Sequence, residues 1–399
     1  MGGTNISFLN IGLHFQIGLI ERFRGILSPT QHHEQKTKTM DPEQLKSFFQ
    51  PYQKALADFE PGAVRAVMDA LFHPEATFKI CHPFGTLSGP EAYFETCLMP
   101  LYGAMPDLER RDLIRLTGRT AQGLDWIGCM GNYMGTNLAP FLNIPPTGHL
   151  VHMRYHEYFN VVDGKIVEVQ AIWDLPELMT QAKAWPLAPQ LGAFLCTPGP
   201  LSGDGLTATG NDKGCIDRIV DMETAMCRHP ENLDPSVMKL EAFWHRQMNW
   251  YGPAGIGTAR GIAGFRHWHQ IPFLRAMPNR RVDPAGDREA PEDMHDLHSH
   301  YIEQGDYVCE TGWPNMRLTV SHDGWLGIAP AGVNIEMRSL DFWRLEDGLI
   351  RENWVLIDML DIYRQLGVDV LARLAEFNKA RNLAPIALSD GMERVEPRS

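Results

Sequence analysis

Residues 340–369 have the sequence LDFWRLEDGLIRENWVLIDMLDIYRQLGVD, and residues 157–182 are a looser copy of it, EYFNVVDGKIVEVQAIWDLPELMTQA. The Asp163-Gly164 pair of one copy corresponds to Asp347-Gly348 in the other, 184 residues later. Asp-Gly between runs of apolar and β-branched residues is a strong signal for a two-residue β-hairpin. The sequence therefore predicts the same hairpin twice.

The repeat extends upstream with a different offset. Gly85-Thr86 matches Gly257-Thr258, and Met105-Pro106 matches Met277-Pro278, both 172 residues apart. The change from 172 to 184 predicts an insertion in the second copy, which we assign to the polar stretch 283–296. A constant offset across dissimilar motifs indicates two homologous domains.

The domain organisation follows from these offsets and from local composition. We assign the chain to an N-terminal extension, domain 1, a linker rich in Gly, Pro, Ser and Thr, domain 2 and a polar tail, with bounds 1–40, 41–195, 196–212, 211–385 and 386–399. Asp41 before Pro42 is a helix-start signal, so the folded part is predicted to begin near Met40. The extension is expected to be disordered, and a weak organelle or membrane-surface anchor is the alternative.

Each copy has helical regions first and strand-like runs afterwards. Amphipathic helical patterns cover 43–73 and 215–246, and a second helix covers 89–103 and 261–275. Runs rich in β-branched and aromatic residues follow. This order predicts an α+β fold in which helices cover one face of a bent antiparallel sheet.

Composition excludes several classes of protein. The 399 residues carry a net charge of −13, which disfavours nucleic acid and anionic membranes as partners. Seven cysteines without a CxxC pair argue against a disulfide framework or a zinc ribbon, and they favour a reducing, cytoplasmic compartment. The glycines between Gly252 and Gly264 match neither a dinucleotide-binding fingerprint nor a P-loop, so no cofactor is predicted.

Strand alternation before each hairpin places one carboxylate on an otherwise apolar face. Glu157 lies among Met153, Tyr155 and Phe159, and Asp341 occupies the same place in the second copy. A carboxylate on such a face is costly unless it is paired, protonated or solvated by a cavity. Both residues are therefore candidate general acids or bases, and a structural carboxylate bound to a buried Arg, His or Tyr is the alternative.

The stretch 340–369 resembles the C-terminal signature of the SnoaL-like polyketide cyclases, or ester cyclases, and the first copy keeps it more loosely. The resemblance covers both domains and implies two tandem cone-shaped α+β barrels of the nuclear transport factor two type. Members usually pair sheet to sheet as dimers, so the two domains are expected to pair with each other. Further homo-oligomerisation is left open.

The resemblance also implies which positions carry acid–base chemistry. The cyclases use an Asp on the last strand and a His on the strand before it. Here Ala171 and Val355 occupy the Asp position, and Glu157 and Asp341 the His position. Asp174 and Asp358 match the family's Asp before the terminal helix, where a helix N-cap is the alternative role.

Further polar and aromatic residues are candidates for substrate contacts. His300 is assigned a catalytic role with Asp341 and Asp358, and Arg317 is a candidate partner of Asp341. The other predicted substrate-binding residues are His298, His245, Trp343, Trp313, Tyr133 and His73. A metal site formed by His267, His269, His298 and His300 is a minor alternative, and the leading hypothesis has no metal.

The leading hypothesis is a cofactor-independent lyase, isomerase or cyclase that acts on a small, largely apolar carbonyl or hydroxy compound. Domain 2 is favoured as the active copy because it has more polar candidates and the closer signature. A non-catalytic ligand-binding or scaffold protein of the same fold is the alternative, and a metal-dependent lyase or hydrolase is a third. The state of Glu157 and Asp341 discriminates between the first two hypotheses.

Overall fold

The computed structural model describes residues 39–210, 212–226, 234–278, 281–282, 299–321, 324–329 and 332–380. Four predictions fall outside these residues: nearly all of the N-terminal extension, the insertion at 283–296, His298 and the polar tail. Among the described helices, none combines the length and apolar character needed to cross a membrane.

Domain 1 comprises α1 to α5 and β1 to β6. Its helices are α1 Pro42–Ala57, α2 Pro61–Leu71, α3 Pro90–Tyr93, α4 Met99–Ala104 and α5 Leu175–Gln181, with a π-helical turn at Phe94–Leu98. Its strands are β1 Phe72–Ile80, β2 Gly85–Ser88, β3 Glu109–Arg119, β4 Asp125–Thr136, β5 Leu150–Val162 and β6 Lys165–Trp173. The α1 helix begins at the predicted signal, since the Asp41 side chain accepts from the Gln44 N–H.

Domain 2 repeats this order with shorter strands. Its helices are α6 Cys215–Met226, α7 Leu240–Phe243, α8 Gly261–Phe265, α9 Ile271–Ala276, α10 Met359–Gln365 and α11 Val370–Ala380, with a 3-10 turn at Pro235–Met238 and a π-helical turn at Arg266–Gln270. Its strands are β7 Trp244–Tyr251, β8 Ala259–Arg260, β9 Arg281–Val282, β10 Ser299–Gln304, β11 Tyr307–Gly312, β12 Met316–Thr319, β13 Asn334–Met337, β14 Ser339–Glu346 and β15 Leu349–Ile357.

Both domains are built on a six-stranded sheet, which confirms the predicted α+β fold in two tandem copies. The strand orders are β2-β1-β6-β5-β4-β3 and β10-β11-β14-β15-β7-β8, and β13-β12-β9 form a further sheet in domain 2. Each large sheet is mixed rather than antiparallel, because β1 runs parallel to β6 and β7 runs parallel to β15. The helices between the first and last strands of each copy make that parallel pairing possible.

The two hairpins have the predicted register. Asp163 and Gly164 have φ of 49° and 75°, and Asp347 and Gly348 have φ of 51° and 74°. Positive φ at both central positions matches the twist of the flanking strands. The β5–β6 pair and the β14–β15 pair therefore show the same alternation, and the repeat read from the sequence is confirmed in the structure.

Both faces of β5 are buried, for different reasons. One face carries Glu157 and points into domain 1, where the helices cover it. On the other face, the Tyr158 hydroxyl donates to the Asp341 carbonyl oxygen at 2.7 Å, and His156 Nδ1 lies 2.5 Å from the Leu340 carbonyl oxygen. The alternation therefore separates a domain interior from a surface that contacts β14.

The linker lies against both domains. The Arg115 N–H donates to the Gly205 carbonyl oxygen at 3.0 Å, and Lys46 Nζ donates to the Ala208 carbonyl oxygen at 2.6 Å. Trp354 Nε1 donates to the Pro198 carbonyl oxygen at 3.0 Å. These contacts give a Gly- and Pro-rich segment defined positions along its length.

Candidate functional site

A cavity opens inside domain 2 between the sheet and its helices. Its volume is about 90 Å³, which leaves room for several waters or a small organic molecule. Aromatic and methionine side chains form most of the wall, which favours an apolar guest. The lining residues are Met222, Glu223, Met226, Met238, Trp244, Trp250, Phe265, His269, Gln270, Phe273, Leu274, Met316, Met337, Ser339, Asp341, Trp343, Asn353, Val355 and Ile357.

Asp341 is the predicted carboxylate that reaches this cavity. It lies on β14, is only partly buried, and accepts a hydrogen bond at Oδ1 from the Ser339 hydroxyl at 2.8 Å. Ser339 is two residues earlier on the same strand face, which is why the two side chains meet. The site therefore combines a carboxylate with an apolar chamber large enough for a ligand.

Aromatic residues give one wall of the cavity a flat surface. His269, from the π-helical turn, stacks on Trp250 with ring centroids 3.9 Å apart and planes at 13°. Trp343 lies on β14 two residues beyond Asp341 and also lines the cavity. An imidazole and a carboxylate thus border the same space, a combination suited to proton transfer.

The matching carboxylate of domain 1 has a different environment. Glu157 is fully buried, and its Oε2 accepts from Arg110 Nη1 at 2.6 Å. Its Oε1 accepts from the Tyr133 hydroxyl at 3.0 Å and from Trp173 Nε1 at 2.9 Å. Arg110 also donates to Asp112 at 2.8 Å. This ion pair with a buried arginine favours the structural alternative for Glu157.

Side-chain size explains why one copy has the cavity. At matched positions of the hairpin strands, Tyr155 of domain 1 is replaced by Ser339, and Trp173 is replaced by Ile357. Both replaced aromatic residues surround Glu157 in domain 1, because the Tyr155 hydroxyl bonds to Asp112 and the Trp173 indole bonds to Glu157. The smaller residues leave space in domain 2.

The arginine of domain 1 also has no counterpart of the same charge. Arg110 is paired across the sheet with Tyr133, which lies opposite Met153. In domain 2 the residue opposite Met337 is Met316, and the residue paired with Met316 is Val282. The guanidinium that binds Glu157 is therefore replaced by an aliphatic residue in the copy that contains Asp341.

Asp174 and Asp358 lie at the contact between the domains instead of in the cavity. Each is buried and caps the following helix, Asp174 accepting from the Glu177 N–H and Asp358 from the Asp361 N–H, both at 3.2 Å. Each also accepts a backbone N–H from the other domain.

These cross-domain bonds are reciprocal. The Ala254 N–H donates to Asp174 at 2.9 Å, and the His82 N–H donates to Asp358 at 3.0 Å. Ala254 follows His82 by the repeat offset of 172 residues. The predicted family Asp thus takes part in a pseudo-symmetric contact between the two copies.

Burial gives both carboxyl groups an unusual protonation equilibrium. Burial, and then the neighbouring Asp361, raise the pKa of Asp358 to about 7, against the opposing effect of the His82 N–H. Burial and Glu177 raise the pKa of Asp174 to about 7 in the same way. A carboxyl whose pKa is raised on folding stabilises the native state at low pH, and this contribution is lost as pH rises from about 4 to about 7.

We therefore expect Asp358→Asn to stabilise the chain at alkaline pH. Asn keeps a capping oxygen without the buried charge, so the free energy of unfolding should rise by at least roughly 1 kcal/mol at about pH 8 and converge with the wild type towards about pH 4. Urea unfolding at both pH values measures this. Asp369→Asn, at an exposed helix-capping aspartate, is the matched control. A less stable Asp358→Asn variant at alkaline pH would contradict the assignment.

The remaining predicted site residues lie away from the cavity. His73 and His245 share a local turn in which ring Nδ1 accepts the backbone N–H two residues on, at 3.2 and 3.1 Å. Arg317 pairs with Glu336 at 3.0 Å. Trp313 lies under the Arg338 guanidinium at 4.9 Å. Tyr133 belongs to the Glu157 network in domain 1.

His300 contacts domain 1 and does not join Asp341 in the cavity. Its ring stacks on Trp126 with centroids 5.4 Å apart, and Nδ1 lies 3.3 Å from the Gln122 side-chain oxygen. His269 lines the cavity, whereas His267 is exposed and packs edge-on against Trp268. Over the residues that the structure describes, no three His, Cys, Asp or Glu side chains form a group that could hold a metal.

Several cavity residues were not predicted from the sequence. His269 was considered only as a metal ligand, and Ser339, Asn353 and Glu223 were not considered as site residues. A residue-by-residue alignment of the two copies contains a usable signal, because His269 replaces the buried Cys97 and Ser339 replaces Tyr155. Polar replacements of buried residues in one copy mark where the two interiors differ.

Comparisons with known proteins place the chain in a family. A family model described as SnoaL-like polyketide cyclase matches residues 50–182 and 234–366. A putative SnoaL-like polyketide cyclase from Jannaschia sp. CCS1 is 21% identical, with 37% of this chain and 99% of that chain covered and a TM-score of 0.31.

Two other solved structures give similar values. For IdmH, a putative polyketide cyclase from Streptomyces antibioticus, the identity is 19%, the coverage 35% and 99%, and the TM-score 0.30. For a putative polyketide cyclase from Xanthomonas campestris the values are 15%, 36% and 99%, and 0.30. No curated protein matches the chain at a significant level.

Proposed function

Because the chain belongs to the SnoaL-like polyketide cyclase family, we propose that its domain 2 cavity catalyses cofactor-independent proton transfer on a small, largely apolar carbonyl or hydroxy compound. The observation that carries this proposal is Asp341, a partly buried carboxylate in an apolar, aromatic-lined cavity. An enolisable carbonyl compound would lose the proton next to its carbonyl to Asp341. Isomerisation, dehydration, retro-aldol cleavage and cyclisation all begin with this step.

Two neighbours of Asp341 support this role. The Ser339 hydroxyl orients the carboxylate through its 2.8 Å hydrogen bond, so one oxygen is fixed while the other remains available to a ligand. His269 borders the same cavity and is the proposed donor to the substrate oxygen, where charge develops as the proton leaves. Positioned acid–base groups contribute about 10²–10⁴-fold each to such reactions.

Domain 1 has a supporting role in this proposal. Glu157 is neutralised by Arg110 and enclosed by Tyr133 and Trp173, which favours a scaffold function for this copy. Arg154 reaches across to domain 2, donating to the Tyr251 and Gly252 carbonyl oxygens at 2.9 and 2.7 Å. These contacts support a stable pair of domains within one chain. The acidic composition and the free cysteines fit a reducing, cytoplasmic compartment.

The test uses exchange of a carbon-bound proton. The full chain is incubated with 2-tetralone, an apolar aromatic ketone, in D₂O, and deuterium incorporation next to the carbonyl is followed by NMR. Ile357→Trp introduces the indole that fills the matching position in domain 1, so we expect exchange to fall to the buffer rate in this variant. Asp347→Asn, in the exposed hairpin turn, should leave the rate unchanged.

The same experiment separates catalysis from binding. Saturable binding of 2-tetralone to the wild type, blocked by Ile357→Trp but without accelerated exchange, would support the ligand-binding alternative and contradict the catalytic one. Exchange that is equally fast in wild type and Ile357→Trp would place the chemistry outside this cavity.

A further inference from the structure

A second buried carboxylate lies next to Asp341 on the neighbouring strand. Glu310 on β11 is paired directly with Asp341 on β14. Residues paired in this way have side chains on the same face of the sheet, with Cβ atoms about 4.5–5.5 Å apart. In domain 1 the residue paired with Glu157 is Cys129, a buried thiol. The carboxylate beside the site acid is therefore specific to the copy that has the cavity.

Hydrogen bonds connect the two carboxylates. Asn315 Nδ2 donates to Glu310 Oε1 at 3.3 Å, and Asn315 Oδ1 accepts from the Ser339 N–H at 3.1 Å. The Ser339 hydroxyl in turn donates to Asp341. Asn315 and Ser339 thus hold both carboxyl groups in fixed positions, while the Ser299 hydroxyl adds a second donor to Glu310 Oε1 at 2.8 Å.

The groups around Glu310 are themselves acidic. The Tyr301 hydroxyl, from the strand on the other side of β11, donates to Glu223 of α6 at 2.7 Å. Burial, Glu223 and Glu310 raise the pKa of Tyr301 well above its usual value, so the phenol keeps its proton. Glu310 is 3% exposed and Glu223 is 5% exposed. Acidic groups from α6, β10 and β14 therefore surround Glu310.

We propose that Glu310 is a second acid–base group of the domain 2 cavity and forms a carboxyl pair with Asp341 in which one proton is shared. Two adjacent carboxyl groups with little solvent do not both ionise readily, so one retains its proton. Glu310 is the more buried and holds this proton, which leaves the charge on Asp341. Asp341 then accepts the carbon-bound proton of the substrate and returns it in a later step, restoring the starting state of the pair.

This inference rests on the proposed function only in taking Asp341 as the site base, and its test needs no substrate. The carboxyl carbons of the full chain, labelled with ¹³C in Asp and Glu, are titrated by NMR. In Glu310→Gln we expect the titration midpoint of Asp341 to fall by about one pH unit or more, because the neighbouring carboxyl no longer competes for the proton. Glu336→Gln, at an exposed glutamate of the same domain, should leave it in place.

The reciprocal variant keeps the test decisive if Glu310→Gln does not fold. Asp341→Asn should lower the midpoint of Glu310 by a comparable amount, since the coupling is mutual. Midpoints that move by less than a few tenths of a unit in a folded variant would overturn the pair. Shifted midpoints without exchange of 2-tetralone would retain the pair and contradict the proposed function, and unshifted midpoints with exchange would do the reverse.

Discussion

Replacing Asp341 with Asn should lower the rate of exchange of the carbon-bound proton by about 10²–10⁴-fold while the fold stays intact. The amide has nearly the shape of the carboxylate and can still accept the Ser339 hydrogen bond, but it cannot take up a proton. The loss should appear in kcat, with ligand binding changed little, because the cavity keeps its walls.

The control for this prediction is another aspartate of the same domain. Asp347→Asn is isosteric too, lies in the exposed β14–β15 turn and should retain the full rate. A folded Asp341→Asn variant that exchanges 2-tetralone as fast as the wild type would remove Asp341 from the mechanism. Circular dichroism and thermal unfolding would establish that the fold is retained.

Arg110→Met should be the most destabilising of these substitutions, with a loss of about 3–5 kcal/mol in the free energy of unfolding. The side chains of Arg110 and Glu157 are fully buried, and the guanidinium binds Glu157 and Asp112 together. Removing it leaves two buried carboxylates without their cation. Urea unfolding of the full chain measures the loss.

The neighbouring residue provides a matched control. Arg111 pairs with Glu109, but its side chain is 61% exposed, so Arg111→Met should cost less than about 1 kcal/mol. Adding Glu157→Gln to Arg110→Met should recover part of the loss, because one uncompensated charge is removed. Equal stability of the two arginine variants would mean that the buried network contributes little.

Much of the fold could be predicted from local patterns. The Asp-Gly turns set the register of β5–β6 and β14–β15, and that register placed Glu157 and Asp341 on the inner faces. The parallel pairing of the first and last strands was not predicted. It joins residues far apart in the chain, such as Phe78 and Val169, and no local pattern encodes such a pairing.

The site was predicted only in part, and for a related reason. Alternation identifies which face a side chain occupies but not what lies opposite it. Arg110 is 47 residues before Glu157 and decides whether that carboxylate is structural or available. The cavity depends on the difference between Tyr155 and Ser339 and between Trp173 and Ile357, which concerns volume rather than polarity. His300 was misplaced because its strand contacts domain 1.

The sealed interior of one copy beside the open interior of the other has a consequence for how such a protein can evolve. In a dimer of identical chains every substitution is made in both subunits, so a change that hollows one core hollows its partner as well. Joining the copies in one chain removes that constraint. Tyr155 and Trp173 can keep their aromatic rings while Ser339 and Ile357 lose theirs, so one half retains the packing that the other half has given up.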